Sequence, residues 1–269
     1  MFYASMFRLI AHENGRLPPY TGRLAHGAFF EILRAINPET AEQLHHNQGR
    51  QPFTVSALMQ TRHLQVEAGR SYWLRITLLD HTLFQAVIKY LLQSHTYPTI
   101  HLDGYAFSIV EVLTMPNSHP RSGYHSFKEL EQVPNEADTL TLNFLSPTAI
   151  SRGQQAGKSK LFILAPDPVA IWKNLRQQWR TCGGAEPGLE YDAWVSGSVR
   201  LMDSSIRPIT WQYGQYPQQG FTGHATFRCE SQDMSARQLW HTLAAFSFYA
   251  GVGYKTTMGM GQVQWEVVG

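Results

Sequence analysis

Apolar residues in the first half of the chain recur with two periods, one typical of strands and one typical of helices. Short apolar and aromatic runs predict four strands, at residues 3–11, 53–58, 72–79 and 100–113. Apolar residues at helical spacing predict two helices, at residues 21–36 and 80–93. The first half is therefore expected to fold in the order strand, helix, strand, strand, helix, strand.

The same order of elements recurs in the second half. Strands are predicted at residues 139–144, 195–202, 222–228 and 261–268. Helices are predicted to begin at Asp167-Pro168 and at Ser235, because each start is followed by an apolar stripe at helical spacing. Two consecutive βαββαβ units predict an α+β protein with two tandem ferredoxin-like, RRM-like domains.

A polar segment separates the two series. Residues 116–137 are polar and contain prolines, which predicts a linker or an exposed insertion. The N-terminal ferredoxin-like domain is thus expected at residues 1–115 and the C-terminal one at residues 138–269. Because this fold hosts many functions, the function has to be sought in the motifs.

The composition is that of a globular protein. Of its 269 residues, 43% are hydrophobic and 16% are charged, and the net charge of +2 allows nucleic-acid binding without requiring it. Two cysteines, Cys182 and Cys229, are too few for a disulfide framework and favour a reducing compartment. The first residues lack the features of a signal peptide, and no apolar run approaches the ~20 residues of a membrane span. A soluble cytoplasmic protein without a membrane partner is expected.

The most specific motif is a glycine-rich segment at residues 251–261, between the last predicted helix and the last predicted strand. Its four glycines, Gly251, Gly253, Gly259 and Gly261, permit positive φ and close approach of a phosphodiester to the backbone. A Walker A loop is excluded because no lysine follows Gly259, and a dinucleotide fingerprint is excluded because the segment follows a helix. One glycine would fit a helix C-cap, whereas four at this spacing favour a functional loop.

This pattern, Gly-x-Gly-x5-Gly-x-Gly before the last strand, resembles the C-terminal glycine-rich loop of Cas6 proteins, which belong to the RAMP superfamily. The resemblance covers essentially the whole chain, and its specific parts are this loop and a histidine segment at residues 44–53. It implies tandem ferredoxin-like domains and cofactor-free endonucleolytic processing of CRISPR transcripts. It also implies RNA binding by the four glycines and by Lys255.

The histidine segment reads LHHNQGRQPF and follows the first predicted helix. In Cas6 proteins a catalytic histidine commonly precedes a Pro-Phe that enters the second strand. His46 matches best because a polar Asn-Gln-Gly turn follows it directly, and His45 is the alternative. An imidazole can accept the 2′-OH proton or protonate the departing 5′ oxygen near neutral pH. Arg50 and Lys255 are expected to stabilise the charge on the phosphorane.

His26 is the second catalytic candidate. On an ideal helix it lies roughly 85° from the centre of the apolar stripe, on the flank that also carries Arg23 and Phe30. Some Cas6 proteins are similar in using a second His or Tyr from this helix. The other interpretation is structural, because any one of 12 histidines is more often a cap or a surface residue. No His-x-x-x-His pair is present, so no metal site is expected.

A basic loop at residues 151–160 completes the predicted RNA-binding residues. It contains Lys158 and Lys160 and follows a strand and a Ser-Pro-Thr sequence, which is similar to the start of the C-terminal domain in Cas6 proteins. These lysines fit a solvated loop as well as an RNA contact. Arg23 on the first helix is the remaining candidate.

The sequence thus favours a metal-independent endoribonuclease that cleaves CRISPR repeat RNA by 2′-OH attack and leaves a 2′,3′-cyclic phosphate and a 5′-OH. The alternative is a RAMP-type RNA-binding scaffold of a CRISPR effector complex that does not cut. A generic tandem-RRM protein is disfavoured because the predicted strands lack an RNP1 signature. The expected partner is CRISPR repeat RNA, and association with other Cas proteins or with a second copy as a homodimer stays open.

Overall fold

A computed structural model describes residues 1–47, 49–60, 65–93, 98–152, 161–185, 190–213 and 216–268. The chain divides into two compact units, each built from an antiparallel sheet and helices. The first comprises Met1–His125 together with Thr257–Gly259, and the second comprises Ser126–Thr256 and Met260–Gly269. The predicted fold class of two tandem ferredoxin-like domains is confirmed.

The first unit has the βαββαβ order with additional short strands. Its helices are α1 (Gly22–Ile36), α2 (Pro38–His46) and α3 (His81–Gln93). Its strands are β1 (Phe2–Ala11), β2 (Gly15–Arg16), β3 (Phe53–Val55), β4 (Gln65–Val66), β5 (Ser71–Leu78), β6 (Thr99–Leu102), β7 (Tyr105–Leu113) and β8 (Gly123–His125). The main sheet has the order β3-β5-β1-β7-β6, and β8 pairs with β1.

Helix α1 covers one face of this sheet. Its buried Phe29 and Leu33 belong to the same apolar core as Phe7 and Leu9 of β1 and Leu74 of β5. Because side chains alternate along a strand, the residues between these core positions lie on the opposite face of the sheet.

The junction between α1 and α2 explains where the histidine segment lies. Asn37 ends α1 and caps α2, because its side-chain oxygen accepts hydrogen bonds from the backbone N–H groups of Glu39 (2.9 Å) and Thr40 (3.1 Å). Pro38 follows at the first helical position, where its missing N–H costs nothing. Helix α2 therefore begins directly after α1 and carries His45 and His46 in its last turn.

The second unit has the same topology without an added edge strand in its main sheet. Its helices are α4 (Phe127–Glu131), α5 (Pro168–Thr181), α6 (Tyr191–Ser198) and α7 (Met234–Ala250). Its strands are β9 (Thr139–Thr148), β10 (Ile150–Ser151), β11 (Phe162–Ile163), β12 (Val199–Tyr213), β13 (Tyr216–Cys229) and β14 (Val263–Val267). The order β12-β13-β9-β14 is that of a ferredoxin-like sheet.

The hairpin of β12 and β13 differs from the sequence prediction. Residues 195–198 end a helix, and the strands run on into the Gln- and Pro-rich segment between the two predicted strands. The ladder continues from Arg207↔Thr222 to Tyr213↔Tyr216, whereas β9 pairs with β13 only from Phe221 onward. The distal part is thus a two-stranded ribbon held by backbone pairing, which a hydrophobic pattern does not report.

The segment predicted as a linker contains β8 and α4. Among the described residues, no helix has both the length and the apolar character needed to cross a membrane.

Candidate active site

Helix α1 presents His26 to the tip of the glycine-rich loop. The His26 Nδ1 atom lies 3.0 Å from the carbonyl oxygen of Thr257. The tip packs against the start of α1, because a Cβ added to Gly22 would lie 2.0 Å from the carbonyl oxygen of Met258. Gly22 therefore allows the close approach that brings Thr257 to His26.

The contact with Thr257 fixes the tautomer of His26. A carbonyl oxygen only accepts hydrogen bonds, so Nδ1 carries the proton and donates it. In the neutral ring, Nε2 is then an unprotonated acceptor. Burial lowers the pKa of His26 most, the Thr257 hydrogen bond raises it, and the nearby His45 lowers it. The half-buried ring is thereby favoured in its neutral form, with a lone pair on Nε2.

His45 lies near His26 around a shared aromatic ring. The Phe30 ring centroid is 4.8 Å from that of His26 and 5.6 Å from that of His45. Phe53 adds a second aromatic contact, since its ring is 6.0 Å from that of His26. The structure therefore brings two imidazoles to one aromatic cluster, one half-buried and one exposed.

His46 has a different environment from its neighbour. Its Nε2 atom lies 2.7 Å from Oε1 of Glu42, one turn earlier on α2, and the two side chains are 72% and 67% exposed. Its ring centroid is 5.6 Å from that of His45. The preference for His46 over His45 stays a prediction, but His45 is the one whose ring packs against Phe30 and whose charge acts on His26.

The predicted basic residues are distributed over both units. Arg23 is exposed on α1, and Arg50 is partly buried in the segment that follows α2. In the second unit, Lys255 Nζ lies 3.4 Å from Oε1 of Gln218 and 5.2 Å from the centroid of the Tyr254 ring. The remaining two candidates, Lys158 and Lys160, lie outside the described residues.

The four loop glycines have positive φ angles of 66°, 94°, 90° and 67° at Gly251, Gly253, Gly259 and Gly261. An added Cβ would strike the protein's own atoms in every case. At Gly261 it would lie 2.1 Å from the Val252 carbonyl oxygen, and at Gly253 it would lie 2.4 Å from a carbonyl oxygen of the second unit. These glycines are therefore needed by the fold itself.

Backbone N–H groups of the glycine-rich loop donate hydrogen bonds to other groups of the protein. The N–H of Gly261 donates to the carbonyl of Pro147, and that of Gly253 donates to the side chain of Asn174. The N–H of Val252 donates back to Gly261. These amides hold the loop in shape and are not open to a phosphate.

Sequence reasoning missed Gly22 and Thr257 as parts of the site, and named Phe30 only as a residue on the flank of His26. Thr257 contributes a backbone carbonyl, so its residue type carried no signal. In the described part of the chain, no group of three or more His, Cys, Asp or Glu side chains is placed to hold a metal ion.

Comparison with known proteins gives one consistent family. A model described as the CRISPR Cas6 N-terminal domain matches residues 1–132, and one described as CRISPR-associated endoribonuclease Cas6 matches residues 142–263. No curated protein sequence matches the chain.

Solved structures agree with the family models. A Cas6 product complex is 29% identical with a TM-score of 0.84, covering 99% of this chain and 100% of the other. The Cas6 protein of Thermus thermophilus is 27% identical with a TM-score of 0.76, covering 99% and 98%. A Cas6-related gene product from Pyrococcus furiosus, 14% identical with a TM-score of 0.66 over 99% of both chains, shares the fold.

Proposed function

The chain belongs to the Cas6 family of CRISPR-associated endoribonucleases, and from that membership we propose that it cleaves CRISPR repeat RNA to make guide RNAs. The substrate is a repeat transcript, and the reaction is a transesterification that needs no metal ion. The observation that carries the proposal is the arrangement of His26 and His45 around Phe30, with His26 held by Thr257.

In the proposed reaction, the 2′-oxygen attacks the adjacent phosphorus and the bond from phosphorus to the 5′-oxygen breaks. The 2′-OH proton passes to a base, and the departing 5′-oxygen receives a proton from an acid. The products are a 2′,3′-cyclic phosphate and a 5′-OH. Two histidines with opposite protonation states supply both proton transfers near neutral pH.

His26 is assigned as the base. Burial lowers its pKa and thus favours the neutral ring, and donation to Thr257 leaves the lone pair on Nε2. A ring in this state accepts the 2′-OH proton and becomes an imidazolium, which the Thr257 carbonyl stabilises through the Nδ1 hydrogen bond.

His45 is assigned as the acid. Two neighbouring imidazoles repel each other when both are protonated, so the pair favours a single positive charge. Water solvates that charge better on exposed His45 than on half-buried His26. Environments that separate the protonation states of two neighbouring groups are the usual basis for assigning acid and base. His46, whose ring contacts Glu42, is the alternative acid.

The remaining predicted residues are assigned to charge stabilisation and RNA binding. Arg50 and Lys255 are proposed to neutralise the phosphorane, and Arg23, Lys158 and Lys160 to bind RNA phosphates. Gly251, Gly253, Gly259 and Gly261 are proposed to act indirectly, by shaping the loop that carries Lys255 and Thr257. Association with other Cas proteins or as a homodimer stays a prediction.

The test is single-turnover cleavage of a synthetic repeat RNA in EDTA, with end-group analysis of the products. We expect one cut, with a 2′,3′-cyclic phosphate on one fragment and a 5′-OH on the other. The matched control carries 2′-deoxyribose at the nucleotide before the cut, and should bind equally well without being cleaved. Cleavage of this analogue, or loss of all activity in EDTA, would contradict the mechanism.

A further inference from the structure

A tight turn in the first unit holds an arginine that no described carboxylate pairs with. Residues 119–122 form a turn closed by a 3.0 Å hydrogen bond from the Ser122 N–H to the His119 carbonyl, with Pro120 at the second position. The Ser122 hydroxyl tightens the turn further, since it lies 3.1 Å from both the N–H and the carbonyl oxygen of His119. Arg121, at the third position, is therefore held on a rigid support.

The guanidinium of Arg121 is only partly exposed, and its hydrogen-bond partner is weak. Its Nη1 atom lies 3.1 Å from the sulfur of Met59, and no carboxylate of the described residues forms an ion pair with it. Buried charges in proteins are normally paired, because removing a charge from water is costly. The desolvation that lowers the pKa of Arg121 is the same cost. An anionic ligand would offset it.

The surroundings of Arg121 are positive and rich in donors. Arg75 is buried on β5, and its Nε donates to the carbonyl oxygen of Arg121 at 2.9 Å. Nδ1 of His119 accepts a 3.0 Å bond from the N–H of Arg121, so Nε2 of the neutral ring carries the proton and is a donor. Burial lowers the pKa of His119, and the charges of Arg121 and Arg75 lower it further.

An aromatic ring lies beside this positive group. The Trp73 ring centroid is 5.3 Å from that of His119, and Trp73 is partly exposed. Trp73 and Arg75 alternate with the core residues Tyr72 and Leu74 on β5, so they lie on the sheet face away from α1. In RRM-type sheets, aromatic side chains on the open face stack RNA bases.

We propose that Trp73, His119 and Arg121 form a binding subsite for one nucleotide of a single-stranded segment of the repeat RNA. Arg121 and the His119 Nε2–H bind its phosphate, and the Trp73–His119 pair stacks its base. The segment is single-stranded because a base within a duplex has no free face to stack. The identity of the RNA rests on the proposed function, whereas the subsite itself is separate from the cluster around Phe30.

An arginine kept for a ligand differs measurably from one that supports the fold. Replacing a partly buried charge that no described carboxylate pairs with by an apolar side chain of similar length removes its desolvation cost. Arg121→Met is therefore expected to keep or raise the melting temperature of the RNA-free protein while weakening RNA binding. A structural arginine would give a lower melting temperature and unchanged affinity.

The experiment measures Kd for the 2′-deoxy repeat RNA at several salt concentrations. Arg121→Met should weaken binding about tenfold, the low end for one charge-assisted hydrogen bond. The salt slope should fall by about 0.7, the value for one single-strand phosphate. His119→Ala should also weaken binding, and this second variant, at a partly buried position outside the helices and strands, keeps the test valid if Arg121→Met misfolds. The matched control is Arg70→Met, because Arg70 is already paired with Glu67 at 2.6 Å. This variant should bind repeat RNA with the wild-type Kd.

Repeat RNAs trimmed stepwise from each end locate the segment. The difference in Kd between wild type and Arg121→Met should vanish once the trimming removes the nucleotide that binds at the subsite. Uridine monophosphate tests whether the ligand is a free nucleotide instead of RNA. If Arg121→Met weakens the binding of uridine monophosphate but not that of repeat RNA, the proposal is overturned. Equal binding of repeat RNA by wild type and both variants would overturn the subsite alone. Failure of the wild type to bind repeat RNA would remove the proposed function as well.

Discussion

Replacing His45, His46 and His26 one at a time by alanine separates the chemistry from the fold. If His45 donates the proton to the leaving group, His45→Ala should slow single-turnover cleavage by about 10²–10⁴-fold. At about 1.36 kcal/mol per tenfold change, this range corresponds to a barrier about 2.7–5.4 kcal/mol higher. His45 is exposed and touches Phe30 only through its ring, so the free energy of unfolding should change by only about 0.5 kcal/mol.

His46→Ala is the matched control, one residue away on the same helix. It removes the exposed contact with Glu42, which contributes little, and the ring contact with His45, so the cleavage rate should stay within about twofold of wild type. His26→Ala should lose as much activity as His45→Ala, and the double variant little more, because an acid and a base that act together are not additive.

The assay is cleavage of repeat RNA with enzyme in saturating excess, together with a separate measurement of Kd. Affinity should change little in the three variants. Full activity of His45→Ala combined with loss in His46→Ala would refute the assignment based on Phe30, and full activity in both would remove α2 from the active site.

Two further predictions concern stability. Gly261→Ala should lower the free energy of unfolding by about 1–3 kcal/mol, because φ is +67° and the new Cβ would meet the Val252 carbonyl. Gly27→Ala, on the open face of α1, is the control and should be neutral or stabilising. Equal urea midpoints for the two variants would contradict the structural role of the loop glycines. Burial lowers the pKa values of His26, His119 and His241 in the folded protein. Below the ordinary histidine pKa of about 6.5 the unfolded chain therefore binds more protons than the folded one, and the urea midpoint should fall as the pH drops below that value. A flat or rising midpoint would be inconsistent with these environments.

The tandem βαββαβ architecture was predictable because apolar periodicity reports which face of each element is buried. The distal hairpin was not, because the strands from Arg207 to Tyr213 and from Tyr216 to Gly220 pair along their backbones while few of their side chains, Trp211 and Gln218 among them, are buried. A hydrophobic pattern does not report strands of this kind.

The different environments of His45 and His46 could have been predicted from helix geometry. Residues four apart share a helix face, so His45 lies above Ala41, a small apolar residue suited to burial, and His46 lies above Glu42. The structure agrees, since Ala41 is 1% exposed. The match to a Pro-Phe sequence downstream ranked the two histidines without using this signal.

The role of the loop glycines could not be read from the sequence. A glycine that admits a phosphate and a glycine that admits the protein's own carbonyl give the same pattern, and Gly261 and Gly253 belong to the second kind. The turn with Arg121 was likewise hidden, because its segment looked like a polar linker and its neighbours Trp73 and Met59 come from distant parts of the chain.

The most direct measurement of the central claim uses repeat RNA with sulfur in place of the bridging 5′-oxygen at the scissile phosphate. A thiolate leaves without being protonated, so this substrate does not need a general acid but still needs a base. If His45 is the acid and His26 the base, His45→Ala should cleave the sulfur substrate at nearly the wild-type rate while His26→Ala stays slow. Rescue of His26→Ala alone would exchange the two roles, and rescue of neither variant would contradict the two-histidine mechanism.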